Sequence, residues 1–183
     1  MTPNIGSIAN KGGGSNVDYF LKLDGIDGEA QDSKHKNEID VMSFSWGQKQ
    51  TGTSYQGGGS GAGKVQMQDF NFVMSVNKAS PKLLLNCANG AAIKTAILTA
   101  RKAGKDQQEF YKITMTDLLV SSFQTAGGQT TGAVGGGGEL PVPVDMISLN
   151  YSTISFSYSP QKADGTLDGA ITAGWHLKEN RAL

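Results

Sequence analysis

The sequence predicts a mainly β domain, a small antiparallel β-barrel or two-sheet sandwich carrying one short α-helix. Three observations predict it. Short stretches with period-two alternation and many β-branched or aromatic residues recur along the 183 residues, as strands require. Only one stretch carries helix start and stop signals. Twelve of the 25 glycines cluster in runs at 12–14, 57–63 and 135–138, which break the chain into short ordered pieces.

Residues 1–16 read as a flexible extension by composition, leaving 17–183 as a single domain long enough to bury one core. The first strand is VDYFLKL, 17–23, followed by the turn-rich DGIDGEAQDSKHKN. EIDVMSFSWG, 38–47, is the second; alternation sends Met42, Phe44 and Trp46 to one side and Ser43 and Ser45 to the other. A Gly, Ser and Thr-rich arm, 48–63, leads to a third strand, VQMQDFNFVMSV, 65–76. Its apolar phase slips between Met67 and Phe70, which suggests a β-bulge near Asp69.

The helix is SPKLLLNCAN, with Ser80 as a capping residue, Pro81 in the first turn and Gly90 as terminator. IKTAILTARKAG and EFYKITMTDLLVSSF form a hairpin pair turned through Gly104, Lys105 and Asp106. ISLNYSTISFSY, 147–158, repeats the phase slip, the mark of a strand that bends between sheets or is covered on both faces. AITAGWHLKEN, 170–180, is the last strand. The long connection 127–145 is tolerable, because loop closure costs little more as length grows.

The charges exclude one class of partner. Sixteen Lys and Arg balance sixteen Asp and Glu, so the chain lacks the basic footprint that nucleic acid requires. Cys87, the only cysteine, excludes an intrachain disulfide and a multi-cysteine metal site. It reads as a small buried hydrophobe beside Leu83 and Leu84. The N-terminus lacks the apolar run of a secretory signal peptide, and nothing approaches a membrane helix.

GGGSGAGK, 57–64, nearly matches the phosphate-cradling loop. Position 65 is valine, however, so no hydroxyl can meet Mg²⁺, and the residues after it alternate as a strand. DGIDG and DGTLDG lack the calcium-loop spacing and read as turns. His35 and His176 have no spacing that joins them and default to surface or packing roles. Phe44, Trp46 and Trp175 could present a glycan platform, but strand spacing assigns them to packing. No residue is assigned a catalytic, cofactor or metal role.

EIDVMSFSWG, GGGSGAGKVQMQDFNF, SPKLLLNCANG, ARKAG, DLLVSSF and SPQKADGTLDG occur in an order that resembles the hemolysin-coregulated protein (Hcp) family, over about 17–181. The resemblance implies a β-barrel with one helix, six copies of which close into a ring. Rings stack into a tube inside a contractile sheath behind a spike, and the tube leaves the cell by type VI secretion with effector proteins in its lumen. It further implies a protein that is cytoplasmic before export and needs no signal peptide or membrane insertion. The small polar side of the SWG strand, Ser43 and Ser45, becomes the candidate lumen wall. The arm with Gln48, Tyr55, Gly59 and Gly63 becomes the candidate contact to neighbouring subunits. Three alternatives are a contractile phage tail-tube protein, an extracellular carbohydrate-binding sandwich and a nucleotide hydrolase using Lys64.

Overall fold

The computed structural model describes residues 17–50, 65–102, 107–127 and 143–183. Among them lie twelve strands and one helix. Strand β1, Val17–Leu23, pairs antiparallel with β2, Ile39–Val41, on one side and with β7, Ile93–Lys102, on the other. β7 pairs in turn with β8, Glu109–Ala126. β8 is followed across the sheet by β10, Thr153–Tyr158, then β11, Ile171–His176, and β12, Arg181–Ala182.

A second sheet is built from β3, Ser43–Ser45, β6, Phe70–Ser75, and β9, Val144–Asn150, closed on its far side by the C-terminal half of β8. The 18 residues of β8 therefore serve both sheets. Its first half pairs with β10 up to Thr116 and with β7 up to Leu118, and from Leu119 onward it pairs with β9. At this changeover Asp117 takes a left-handed φ of 50°. That conformation, unusual away from glycine, swings the strand from one sheet to the other.

The two inner faces share one core, in which Leu21, Ile39, Phe70, Phe72, Ile113 and Ile147 are fully buried. This is the two-sheet form of the predicted class, and the helix is the predicted one. The helix α1, Ser80–Asn89, packs on β8 and buries Leu83. Gly90 ends it at φ 66°, as its sequence suggests.

The structure corrects several readings. Ser80 is not the cap. Ala79 holds that position, and the Ser80 hydroxyl instead accepts the Asn77 N–H at 3.1 Å while the Asn77 side chain accepts the Ala79 N–H at 2.9 Å. Cys87 is half-buried against the core with Leu83, whereas Leu84 is exposed.

The expected bulge near Asp69 is a full break between β5, Gln66–Met67, which pairs with β4, Gln48–Lys49, and β6, which belongs to the second sheet. The 147–158 stretch likewise breaks at Tyr151 and Ser152, so β9 and β10 lie in different sheets. The two breaks meet: the Tyr151 hydroxyl donates to the Gln68 carbonyl at 3.0 Å. Burial, and secondarily the charge of Asp69, pushes that phenol up to about 12. The final strand stops at His176, where a turn leads into β12. Residues 1–16 and the turn residues Gly104, Lys105 and Asp106 lie outside the described residues.

Candidate functional site

Alternation on β3 holds for its serines. Ser43 and Ser45 are exposed, while Phe44 turns inward to meet Tyr19 at 5.3 Å and Phe70 at 5.8 Å between ring centres. Met42 departs from the expected side. It sits at the bend between β2 and β3, is 52% exposed, and its sulfur accepts a hydrogen bond from Ser75 at 3.9 Å. Because Asn71, Val73 and Ser75 are the outward residues of β6, that contact carries Met42 to the serine side.

Register extends the serine side across four strands. Ser45 stands opposite Asn71, Asn71 opposite Ser148, and Ser148 opposite Ser122. One step along, Ser43, Val73, Met146 and Gln124 form the parallel row. The Ser148 hydroxyl donates to Asn71 at 2.6 Å, and Asn71 donates to the Asp69 carbonyl at 3.0 Å. Among the described residues of this array, Asp69 is the one charged group. Its carboxylate accepts from Ser121 at 2.6 Å and from Asn150 at 2.8 Å. The result is an open, shallow face of hydroxyl, amide and short apolar groups.

Ser43 and Ser45 were legible as part of this face; Asn71, Ser122, Gln124 and Ser148 were not. They share no local motif with the SWG strand and join it only through cross-strand pairing. Of the candidate contact residues, Gln48 lies exposed on β4 opposite Met67, while Tyr55, Gly59 and Gly63 lie outside the described residues. Gln48 borders a groove lined also by Trp46, Met67, Phe156 and Trp175. Trp46 packs at 6.4 Å from Phe156, so the aromatic residues divide between packing and the groove wall.

The near-match to a phosphate loop, 57–64, lies outside the described residues, and the sequence that follows it forms strand β5. DGIDG and DGTLDG are turns, with Gly25 at φ 74° and Gly165 at φ 87°. Among the described residues, no three of His, Cys, Asp and Glu converge on a metal position. His35 is buried, with its ring stacked on Phe20 at 4.3 Å. Beside it, Arg101 is 3% exposed and grips Asp32 through two bonds of 2.8 and 2.6 Å. This ion pair has no sequence signature, since its partners stand 69 positions apart.

Comparison with known proteins agrees with this architecture. The family described as "Type VI secretion system effector, Hcp" matches residues 20–158. The hcp1 protein of Pseudomonas aeruginosa is 40% identical over 166 residues, which cover 90% of this chain and 97% of that protein. The crystal structure of Hcp1 from Salmonella typhimurium superposes with a TM-score of 0.70 at 38% identity, covering 91% of this chain and 99% of that one. A structure described as a type six secretion system protein gives a TM-score of 0.80 at 31% identity, covering 92% and 100%. These matches do not favour the tail-tube, glycan-binding or nucleotide-hydrolysing alternatives. With its family match spanning most of the domain and its two-sheet fold shared with these structures, the chain belongs to the Hcp family of type VI secretion proteins.

Proposed function

We propose that six copies of this chain close into a ring, that rings stack, and that the face carrying Ser43 and Ser45 lines the lumen, where effector proteins are held without covalent bonds. Membership of the Hcp family makes the chain a subunit of the type VI secretion tube. The finer reading rests on the chemistry of one sheet. A soluble surface ordinarily carries roughly a quarter to a third charged side chains. Among the described residues, the outward side of β3, β6, β9 and the C-terminal half of β8 carries a single carboxylate at its margin, held by two hydrogen bonds. Such a wall suits passage and reversible contact with varied cargo, because it neither repels nor traps either sign of charge.

A closed ring needs two different, complementary edges on each subunit. The groove beside Gln48, where the arm of 48–63 leaves the sheet, supports placing one of them there, with Tyr55, Gly59 and Gly63 reaching to a neighbour. In this reading the role is structural, with no catalytic residue and no cofactor. Its partners are sheath, spike and effector proteins rather than nucleic acid. The chain waits in the cytoplasm and leaves through the contractile machine, without inserting in the membrane.

The test is a bulky lumen residue. A Ser45→Trp chain should keep the parental ring mass, since the side chain it replaces is exposed, and should lose effector co-export into the culture medium. Effector export at the parental level from such rings would contradict the lumen assignment.

A further inference from the structure

We propose that Met42, Val73 and Met146 form the part of this wall that grips cargo, and that the partner they fit is an uncharged protein surface presenting aliphatic side chains. The proposal rests on the lumen reading above. Met42 and Met146 are 52% and 40% exposed, whereas Met74 and Met115 are completely buried. Core packing therefore accounts for one pair of methionines and not for the other.

The three residues are neighbours across the sheet. Val73 and Met146 are cross-strand partners, and the Met42 N–H donates to the Val73 carbonyl at 2.8 Å. The Ser75 contact to the Met42 sulfur keeps that side chain over the same surface. They form an apolar stripe bordered by the hydroxyl and amide row of Ser45, Asn71 and Ser148.

Charge then selects the occupant. Among the described residues on the outward side of β3, β6, β9 and the C-terminal half of β8, no side chain is cationic. The single carboxylate at the margin, Asp69, already has both oxygens bonded to Ser121 and Asn150, so the wall presents little charge to an acidic or basic patch. Affinity must come from burial of apolar area and from dispersion. Methionine suits that task, because its unbranched, polarisable thioether adapts to unlike shapes. Ring symmetry sets the copies at one height, so a weak contact in each subunit becomes a belt with high avidity.

The test uses assembled rings of the full chain and two short fluorescein-labelled peptides of equal length, one of leucine, serine and glycine, the other with lysine in place of leucine. Fluorescence anisotropy should show the uncharged peptide bound with the same affinity at low salt and at about 1 M salt, where charge pairing is screened. The lysine peptide should bind at least about tenfold more weakly. Met42→Ser with Met146→Ser should weaken the uncharged peptide by about tenfold with ring mass unchanged, and Met42→Leu with Met146→Leu should restore it.

Equal binding of both peptides, or no loss in the serine variant, would overturn the proposal. If the serine variant binds normally while Ser45→Trp blocks binding, the stripe is wrong and the lumen reading stands. If neither change affects binding, both fail. If the serine variant instead breaks the ring, the stripe is a contact between copies of the chain, and the cargo proposal falls.

Discussion

Arg101 and Asp32 show how one side-chain pair organises a segment with no strand to hold it. The turn-rich stretch between β1 and β2 is anchored by a few backbone bonds, among them Gly28 to Asn37 at 2.7 Å and Ala30 to Glu38 at 3.0 Å. Arg101 adds a two-pronged grip and lies over the Phe20 ring, with its charged end 5.0 Å from the ring centre. Its guanidinium is raised further above its usual value, chiefly by the Asp32 bond, while that same bond holds the Asp32 carboxyl well below the ordinary carboxylate range. Removing Asp32 leaves a buried guanidinium with Asp18, at 3.9 Å, and the more distant Glu109 as counter-charges. Asp32→Ala should cost about 3 kcal/mol in urea unfolding, the usual penalty for splitting a buried pair.

The same bond sets a pH dependence. A carboxyl whose folded value lies below its unfolded one stabilises the fold fully above the unfolded value, near 4, and loses that contribution as pH falls. Relative to the parent, an Asp32→Asn chain should therefore lose less stability between about pH 5 and 2. A parallel decline in both proteins would show that the pair carries no such linkage.

The elements divide into those that local chemistry specifies and those that pairing decides. Helix α1 is local: Pro81 starts it and Gly90, at φ 66°, stops it. Gly90→Ala places a side chain in left-handed backbone and should cost about 1 kcal/mol, a fall in Tm of about 2–4 °C. Gly90→Asn should cost less, since asparagine tolerates that conformation. Equal melting temperatures in all three proteins would contradict the left-handed stop.

The strands were legible as alternation and illegible as boundaries. The phase slips at Asp69 and after Tyr151 were visible, but whether a slip is a bulge or a change of sheet depends on partners far away in sequence. Here the partners are β4 for one half of the 65–76 stretch and β9 for the other. Asp117 gives no sequence warning of its left-handed turn. Ser80 failed as a cap because Asn77, three positions earlier, turns the chain first.

Across the whole molecule, β8 holds the two sheets to a common core, and the second sheet turns one side to that core and the other outward. Ser43 and Ser45 could be placed on the outward side from alternation alone. The extent of the face could not, because cross-strand register adds Asn71, Ser148 and Ser122. The outward side has the neutral chemistry expected of a channel wall, and it becomes one only if subunits close around it. Closure is therefore the claim on which the lumen, the cargo stripe and the inter-subunit arm all depend.

Light scattering coupled to size exclusion measures it directly. Six chains of 19.2 kDa make a ring of about 115 kDa. A discrete species at that mass, unchanged on dilution, is the expected result. A 19.2 kDa monomer over a wide concentration range would contradict it.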